Sequence, residues 1–210
     1  MIKMLVADDH AIVREGLKQI VAETLDMVVA DEASSGHEVL DKVRSNEYTV
    51  VVLDISMPGG DGLNILKQIK KEKIKLPVLV LSVHPEEQYA VRVLKAGAAG
   101  YLTKESAPGE LISAIRRVSS GRKYVSSLLA EKLAFDLQSE GETSLHETLS
   151  DREFQVMCMI ASGKRVKDIG EELCLSVKTI STYRSRILEK MRMKNSSELT
   201  HYALKHGLVE

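Results

Sequence analysis

Five side chains stand where chemistry tends to gather. Asp8 and Asp9 directly follow a short apolar run at residues 4–7, and Asp54 closes another at 50–53. Ser82 comes at the end of the run 78–81, and Lys104 just after a weaker one at 98–102. If these runs are strands of one parallel sheet, all five residues lie at its carboxyl edge, where ligands bind in doubly wound folds. With the first and third strands adjacent, three carboxylates converge and must repel and shift one another's ionisation unless a cation lies among them. Mg²⁺ suits such a place, because it takes a few carboxylates together with carbonyl and water oxygens. A hydroxyl and an ammonium beside the cation complete a site for a phosphoryl group, whose oxygens the positive charges neutralise and the hydroxyl contacts. Taken singly, each residue is an ordinary capping acid or solvated lysine. At successive strand ends, together, they are a constellation.

The elements that must position them are legible as alternating periods. Apolar runs at 4–7, 27–30, 50–53, 78–81 and 98–102 alternate with amphipathic stretches at 12–22, 38–43, 63–69, 89–94 and 111–118. Strands alternating with helices predict βαβ units and a parallel sheet. The runs 50–53 and 78–81 contain no polar alternation, as strands buried on both faces require. Turn residues punctuate the order: Pro58-Gly59-Gly60, Asp61-Gly62, Pro77 and Gly97. The prediction is an α/β domain over 1–120, doubly wound on a five-stranded parallel sheet of flavodoxin-like form.

Beyond residue 120 the pattern changes. Leu128, Leu129, Leu133 and Leu137, with Ala130 and Ala134, form a helical stripe in a linker over 121–148, and residues 139–144 are small and polar, as in a tether. From 149 to 210 strand patterns vanish and four helices fit, near 151–161, 166–173, 177–192 and 196–206. Ser150 with Glu153 three positions on predicts a capping box, and Ser176 predicts a simple cap. On a wheel, Val177, Ile180, Ile187, Leu188 and Met191 share one face of the third helix, with Arg184 among them. Lys178, Thr179, Thr182, Ser185, Arg186 and Glu189 occupy the opposite face, with Ser181 on the flank. Two helices joined by a short turn, the second capped and presenting small polar and basic residues, describe a helix-turn-helix.

Composition narrows the classes. The chain of 210 residues carries 29 basic and 30 acidic side chains, a net charge of −1, which gives no support to a general nucleic-acid coat. Residues 1–148 hold 18 Lys/Arg against 22 Asp/Glu, net −4, and residues 149–210 hold 11 against 8, net +3. An acidic, cation-seeking first domain is thus joined to a modestly basic second one. No stretch approaches the ~18 consecutive apolar residues of a membrane span, and two acids straight after the first apolar run do not suit a signal peptide. Cys158 and Cys174 lack any CxxC spacing and read as small buried hydrophobes in a reduced compartment. The six histidines are scattered and are assigned no metal.

The segments VADDH, VVLDISMPGGDG, LVLSVH and AGAAGYLTK resemble, in order, the motifs of the response-regulator receiver domain over residues 3–118. The segment from LSDREF to KHGLVE, about 149–210, resembles the LuxR-type DNA-binding domain, so the whole chain is similar to the NarL/FixJ family of response regulators, with a weaker leaning to its GacA/UvrY-type members. The resemblance implies Asp54 as the residue phosphorylated by a sensor histidine kinase. It implies Asp8, Asp9, Asp54 and the Ser56 carbonyl around Mg²⁺, with Ser82, Tyr101 and Lys104 as the switch. His84 and Ser56 beside the site are then candidates to tune hydrolysis of the phosphoaspartate. In the second domain it implies Lys178, Arg184 and Arg186 as phosphate contacts on double-stranded DNA, and Ser181, Thr182 and Ser185 as residues facing base edges. Leu199, Tyr202 and Ala203 then serve as dimer contact, core, or a mixture of the two.

The chain departs from the family pattern in places. Glu105 follows Lys104 where many receivers have proline, and Ser181 and Tyr183 replace a common lysine and histidine. An aspartyl phosphatase of the haloacid-dehalogenase type wants a second acid two residues after the nucleophile, and here that residue is Ser56. A flavin-binding reading fails on the acidic loop DDHAIVRE. The expectation is a cytoplasmic, non-membrane transcription factor that is not an enzyme beyond its own phosphoryl transfer and dephosphorylation, and a homodimer when phosphorylated or DNA-bound. The rival is a receiver-controlled adaptor that docks on proteins and does not bind DNA.

Overall fold

The computed structural model describes residues 1–57, 62–126, 129–131 and 145–209. The turn at 58–61, the stripe positions Leu128, Leu133, Ala134 and Leu137, and the tether at 139–144 lie outside the described residues. The chain forms two compact units, Met1–Leu133 and Ala134–Glu210.

The first unit alternates strand and helix as the periodicity predicts. In order they are β1 (Ile2–Ala7), α1 (Ala11–Ala22), β2 (Met27–Ala33), α2 (Gly36–Ser45), β3 (Val50–Leu53), α3 (Gly62–Glu72), β4 (Val78–Ser82), α4 (Glu86–Lys95), β5 (Gly100–Thr103) and α5 (Pro108–Ser119). The strands pair in parallel in the order β2-β1-β3-β4-β5, so β1 and β3 are neighbours. All residues of β3 and β4 are buried, which accounts for their unbroken apolar runs. Met4, Val6, Val50, Val52, Leu79 and Leu81 form one core with Leu17 and Val21 of α1 and Leu111, Ile115 and Val118 of α5. Their alternates Leu5, Val51, Leu53 and Val80 point to the other sheet face and are buried as well. The chain after α5 stays on this unit: Tyr124 bridges Gly100 and its hydroxyl donates to Glu110 Oε1 at 2.7 Å, while Ser126 Oγ donates to Glu86 Oε2 at 2.6 Å.

The second unit contains, among its described residues, a 3₁₀ turn (Leu145–Thr148) and the helices α6 (Asp151–Ala161), α7 (Val166–Glu172), α8 (Val177–Lys190) and α9 (Ser196–Lys205). The capping box at the start of α6 is present in both halves: Glu153 N–H donates to Ser150 Oγ and Ser150 N–H donates to Glu153 Oε2. Gly170 sits where α7 meets the turn, since a Cβ there would lie 2.8 Å from the Leu175 carbonyl oxygen. The helix-turn-helix therefore closes tightly at a residue with no side chain.

Two sequence expectations need correction here. Cys158 is buried but Cys174 is exposed, because it occupies the α7–α8 turn at φ 53, a left-handed conformation that turns its side chain outward from the helix pack. Val177, placed on the buried face by periodicity, is 51% exposed, since as the first residue of α8 it projects beyond the packed helices. Its wheel partners Ile180, Ile187 and Met191 are buried as expected.

Candidate functional site

Strand register assembles the first site. Asp54 N–H donates to the Ala7 carbonyl at 2.8 Å, Asp8 N–H to that of Ala33 at 3.1 Å, and Lys104 N–H to that of Ser82 at 2.7 Å. These bonds carry the ladder one step past the strand ends and fix Asp8, Asp54, Ser82 and Lys104 along a single edge. Asp8, Asp54 and Ser82 are buried to within 1%. Lys104 Nζ donates to Asp54 Oδ2 at 2.7 Å and lies 2.6 Å from Asp8 Oδ2. Ser56 N–H donates to Asp54 Oδ1 at 2.7 Å, so both oxygens of that carboxylate are held.

Burial pushes the Asp54 carboxyl above the ordinary carboxylate range, against the opposing pull of Lys104 and the Ser56 N–H. Burial alone would lower the Lys104 ammonium, but its hydrogen bonds to Asp54 and Asp8 outweigh that and hold it above the usual lysine value. Asp9 Oδ1 and Ser56 Oγ are buried oxygens that accept no aligned hydrogen bond, and Asp8 Oδ2 is met only by the Lys104 ammonium. Such orphaned acceptors around a buried carboxylate are the donor set of a hard cation. One ligand atom from each of Asp8, Asp9, His10 and Asp54 lies within 4.8 Å of the others.

Ser82 and Tyr101 stand beside this cluster. Ser82 Oγ accepts from His84 N–H at 3.2 Å, and Tyr101, fully buried, donates its hydroxyl to the His84 carbonyl at 2.8 Å. His84 also stacks on Tyr89, with ring centroids 4.4 Å apart. Both predicted switch residues thus hold the segment that follows β4. Gly62 opens α3 against the Asp54 loop, where a Cβ would meet the Ile55 backbone at 2.3 Å. A cavity of about 520 Å³ lined by Tyr48, Lys73 and Pro77 lies at the opposite, amino edge of the sheet, away from the acids.

Sequence reasoning passed over two residues. His10 precedes α1, and its Nδ1 lies 3.0 Å from Asp9 Oδ1 and 3.2 Å from Asp8 Oδ1. Arg14 on α1 donates from Nη1 to the Asp8 carbonyl at 2.8 Å and from Nε to Glu32 Oε2 at 3.0 Å, bracing the loop that carries the acids. Adjacency to the acid pair was the available signal for His10. Arg14 had none, because its carbonyl partner is set by the loop path.

In the second unit, Lys178, Ser181, Thr182, Ser185 and Arg186 are all exposed on α8. Thr182 and Ser185 donate their hydroxyls back to the carbonyls of Lys178 and Ser181, which leaves their oxygen lone pairs outward. Arg184 stands apart: it is half-buried and its Nε donates to Ser196 Oγ at 2.9 Å, at the start of α9. Leu199 and Ala203 are fully buried core, while Tyr202 is half-buried with its hydroxyl 3.0 Å from His146 Nδ1. Among the described residues no helix is long and apolar enough to cross a membrane.

Comparisons with known proteins agree with this anatomy. Residues 4–116 match the response regulator receiver domain, and residues 147–203 match the bacterial regulatory proteins of the luxR family. The chain is 41% identical over 209 residues to the response regulator UvrY of Escherichia coli K12, covering 99% of this chain and 96% of that protein. It is 39% identical to the response regulator GacA of Pseudomonas protegens, over 100% and 99% of the two chains. A solved structure of RcsB from Salmonella enterica serovar Typhimurium, bound to the rprA promoter in the presence of the phosphomimetic BeF₃⁻, superposes with a TM-score of 0.66 at 26% identity, covering 96% of this chain and 97% of that one. Such relatives are regulatory proteins. The chain belongs to the response regulators of NarL/FixJ type, and is a two-component, DNA-binding transcription regulator that joins a receiver domain to a LuxR-family helix-turn-helix domain.

Proposed function

We propose that Asp54 is the phosphoacceptor and that its phosphorylation by a sensor histidine kinase controls DNA binding by α8. The observation that carries this is the convergence of Asp8, Asp54 and Lys104 at one sheet edge, with buried oxygens left without aligned donors. A carboxylate oxygen of Asp54 displaces the imidazole of a phosphohistidine. One P–O bond forms as one P–N bond breaks, and the bonding electron pair returns to the imidazole nitrogen. Asp8, Asp9, Asp54 and the Ser56 carbonyl would hold Mg²⁺, which when bound supplies neutralisation of the charge developing on the phosphoryl oxygens. Lys104 supplies the second positive charge and Ser82 a hydroxyl donor. The protein's own chemistry is limited to this transfer and to hydrolysis of the phosphoaspartate by water, which releases inorganic phosphate.

Phosphorylation shifts the receiver between two states. A Ser82 hydroxyl drawn toward the phosphoryl group gives up the His84 N–H, and Tyr101, tied to the same residue's carbonyl, moves with that loop. The reading divides the chain into a receiver at 1–120, a linker at 121–148 and a DNA-binding domain at 149–210. Lys178 and Arg186 contact backbone phosphates, while Ser181, Thr182 and Ser185 face base edges. Arg184 has one donor committed to Ser196 and joins the phosphate contacts only through its other N–H groups. Val177, exposed at the amino end of α8, adds an apolar contact of the kind that reads a thymine methyl. Two half-sites call for a homodimer on DNA, and the protein works in the cytoplasm.

The test is incorporation of phosphate from acetyl phosphate with Mg²⁺. Wild-type protein labels once, and Asp54→Asn does not. A labelled Asp54→Asn protein overturns the assignment.

A further inference from the structure

We propose that the contact between Glu86 and Ser126 is the joint through which the state of the receiver reaches the linker: phosphorylation at Asp54 parts the two residues and weakens the cap that Ser126 places on the helical residues 129–131. The inference rests on the Asp54 and Ser82 reading above and carries it from the switch to the chain that leaves the domain.

After α5 the chain is laid along the edge strand β5. Tyr124 N–H donates to the Ala99 carbonyl at 2.8 Å, Lys123 Nζ donates to the Ala98 carbonyl, and Arg117 Nε on α5 donates to the Lys123 carbonyl at 2.8 Å. Gly100 makes room for this strap, since a Cβ there would lie 2.9 Å from Tyr124 Cβ and 3.0 Å from its carbonyl oxygen. Ser126, next in line, does two things at once. Its Oγ accepts from Leu129 N–H at 3.0 Å and its carbonyl accepts from Ala130 N–H at 3.0 Å, the pattern of a helix N-cap. Its hydroxyl hydrogen goes to Oε2 of Glu86, the first residue of α4, at 2.6 Å. Leu129, held by that cap, is 2% exposed.

Glu86 stands two residues from the switch. Ser82 Oγ accepts His84 N–H and Tyr101 donates to the His84 carbonyl, so both backbone groups of His84 are held by switch residues. Pro85 alone separates His84 from Glu86. Its ring locks φ, here −56°, and removes one of the few torsions that could absorb a displacement of His84. A hydrogen bond of 2.6 Å fails once its atoms stand beyond about 3.5 Å, so a shift of about 1 Å at Glu86 breaks it. Without that bond the Ser126 side chain loses the anchor that fixes its rotamer, and the cap on Leu129 weakens with it. Glu86 and Ser126 are positioning residues, acting through the loop after β4 and not on the phosphoryl group.

The test follows amide exchange by NMR in the full-length protein, with and without excess acetyl phosphate and Mg²⁺, and counts phosphate by intact mass. Phosphorylated wild type is expected to exchange Leu129 N–H about fivefold faster than the unphosphorylated protein, the usual worth of an N-cap. Ser126→Ala should exchange it that fast already and gain less than about twofold on phosphorylation, whereas Ser126→Thr, which keeps a capping hydroxyl, should behave as wild type. In Glu86→Ala, where the joint is cut, phosphorylation should also change the rate by less than about twofold. Wild type that takes up phosphate with Leu129 exchange unchanged overturns the proposal, and so does a full response retained in Glu86→Ala. Wild type that takes up no phosphate is a different failure: it removes the Asp54 reading itself, and the proposal falls with it.

Discussion

The Lys104 ammonium donates to Asp54 Oδ2 at 2.7 Å across 50 residues of sequence, and the same nitrogen lies 2.6 Å from Asp8 Oδ2. One positive charge thus holds two buried carboxylates together. Lys104→Met leaves those carboxylates facing one another, and breaking one side of a buried ionic contact costs on the order of 3–5 kcal/mol. Urea unfolding of the receiver in metal-free buffer is expected to show a loss of that order. Added Mg²⁺ should recover more stability in the variant than in wild type, and equal gains in both would count against the shared site.

Cation binding should itself stabilise the receiver. An ion that binds only the folded state adds about 2.7 kcal/mol at a hundredfold excess over its dissociation constant. Thermal unfolding followed against Mg²⁺ concentration should therefore climb steadily for wild type and stay flat for Asp9→Asn.

Arg14 is a positioning residue, since it touches the Asp8 carbonyl and Glu32 rather than a carboxylate of the site. Arg14→Ala should weaken Mg²⁺ binding by about tenfold, as loss of an outer partner typically does. Arg14→Lys, with one donor in place of the fork, should recover only part of that affinity. Calorimetric titration with Mg²⁺ distinguishes these outcomes from simple unfolding.

The start of α6 predicts a pH dependence. Burial alone would raise the Glu153 carboxyl, but the Lys190 ammonium and the Ser150 N–H outweigh it and hold the group below its ordinary value of 4.5. A carboxylate depressed in the folded state contributes stability above its unfolded value, and that contribution is lost as pH falls through the folded one. Glu153→Gln should cost about 1 kcal/mol at neutral pH. It should also flatten the loss of second-domain stability expected below pH 4.5, measured by circular dichroism.

On DNA, the exposed lysine and arginine of α8 carry an electrostatic prediction. Removing one phosphate-binding cation reduces the slope of log affinity against log salt by about 0.9 on duplex DNA. Lys178→Ala with Arg186→Ala should weaken binding to all sequences and flatten that slope by about 1.8. Ser181→Ala should instead change base preference and leave the slope unchanged. Fluorescence anisotropy over a salt series separates the two.

Much of this protein is legible in local pattern. Buried parallel strands appear as unbroken apolar runs such as Val50–Leu53, and the acids after such runs must reach one edge because parallel strands end on the same side. Ser150 and Glu153 form their box within four residues of chain, so their pairing is written in spacing alone. Val177 and Cys174 escape the local pattern for the opposite reason. Periodicity takes every turn of a helix to be packed, whereas their exposure follows from where α8 begins and from the left-handed backbone at Cys174.

The amino-acid sequence by itself determined the order of elements, the division into an acidic and a basic domain, and the residue types at each strand end, because these depend on interactions between near neighbours. Only the tertiary structure decided that β1 lies beside β3, that Lys104 bridges Asp8 and Asp54, that His10 faces the acid pair and that Arg14 braces its loop. Most of those contacts join distant segments and the others depend on the path of a short loop. Strand order, register and loop conformation set them, and no local period records any of the three.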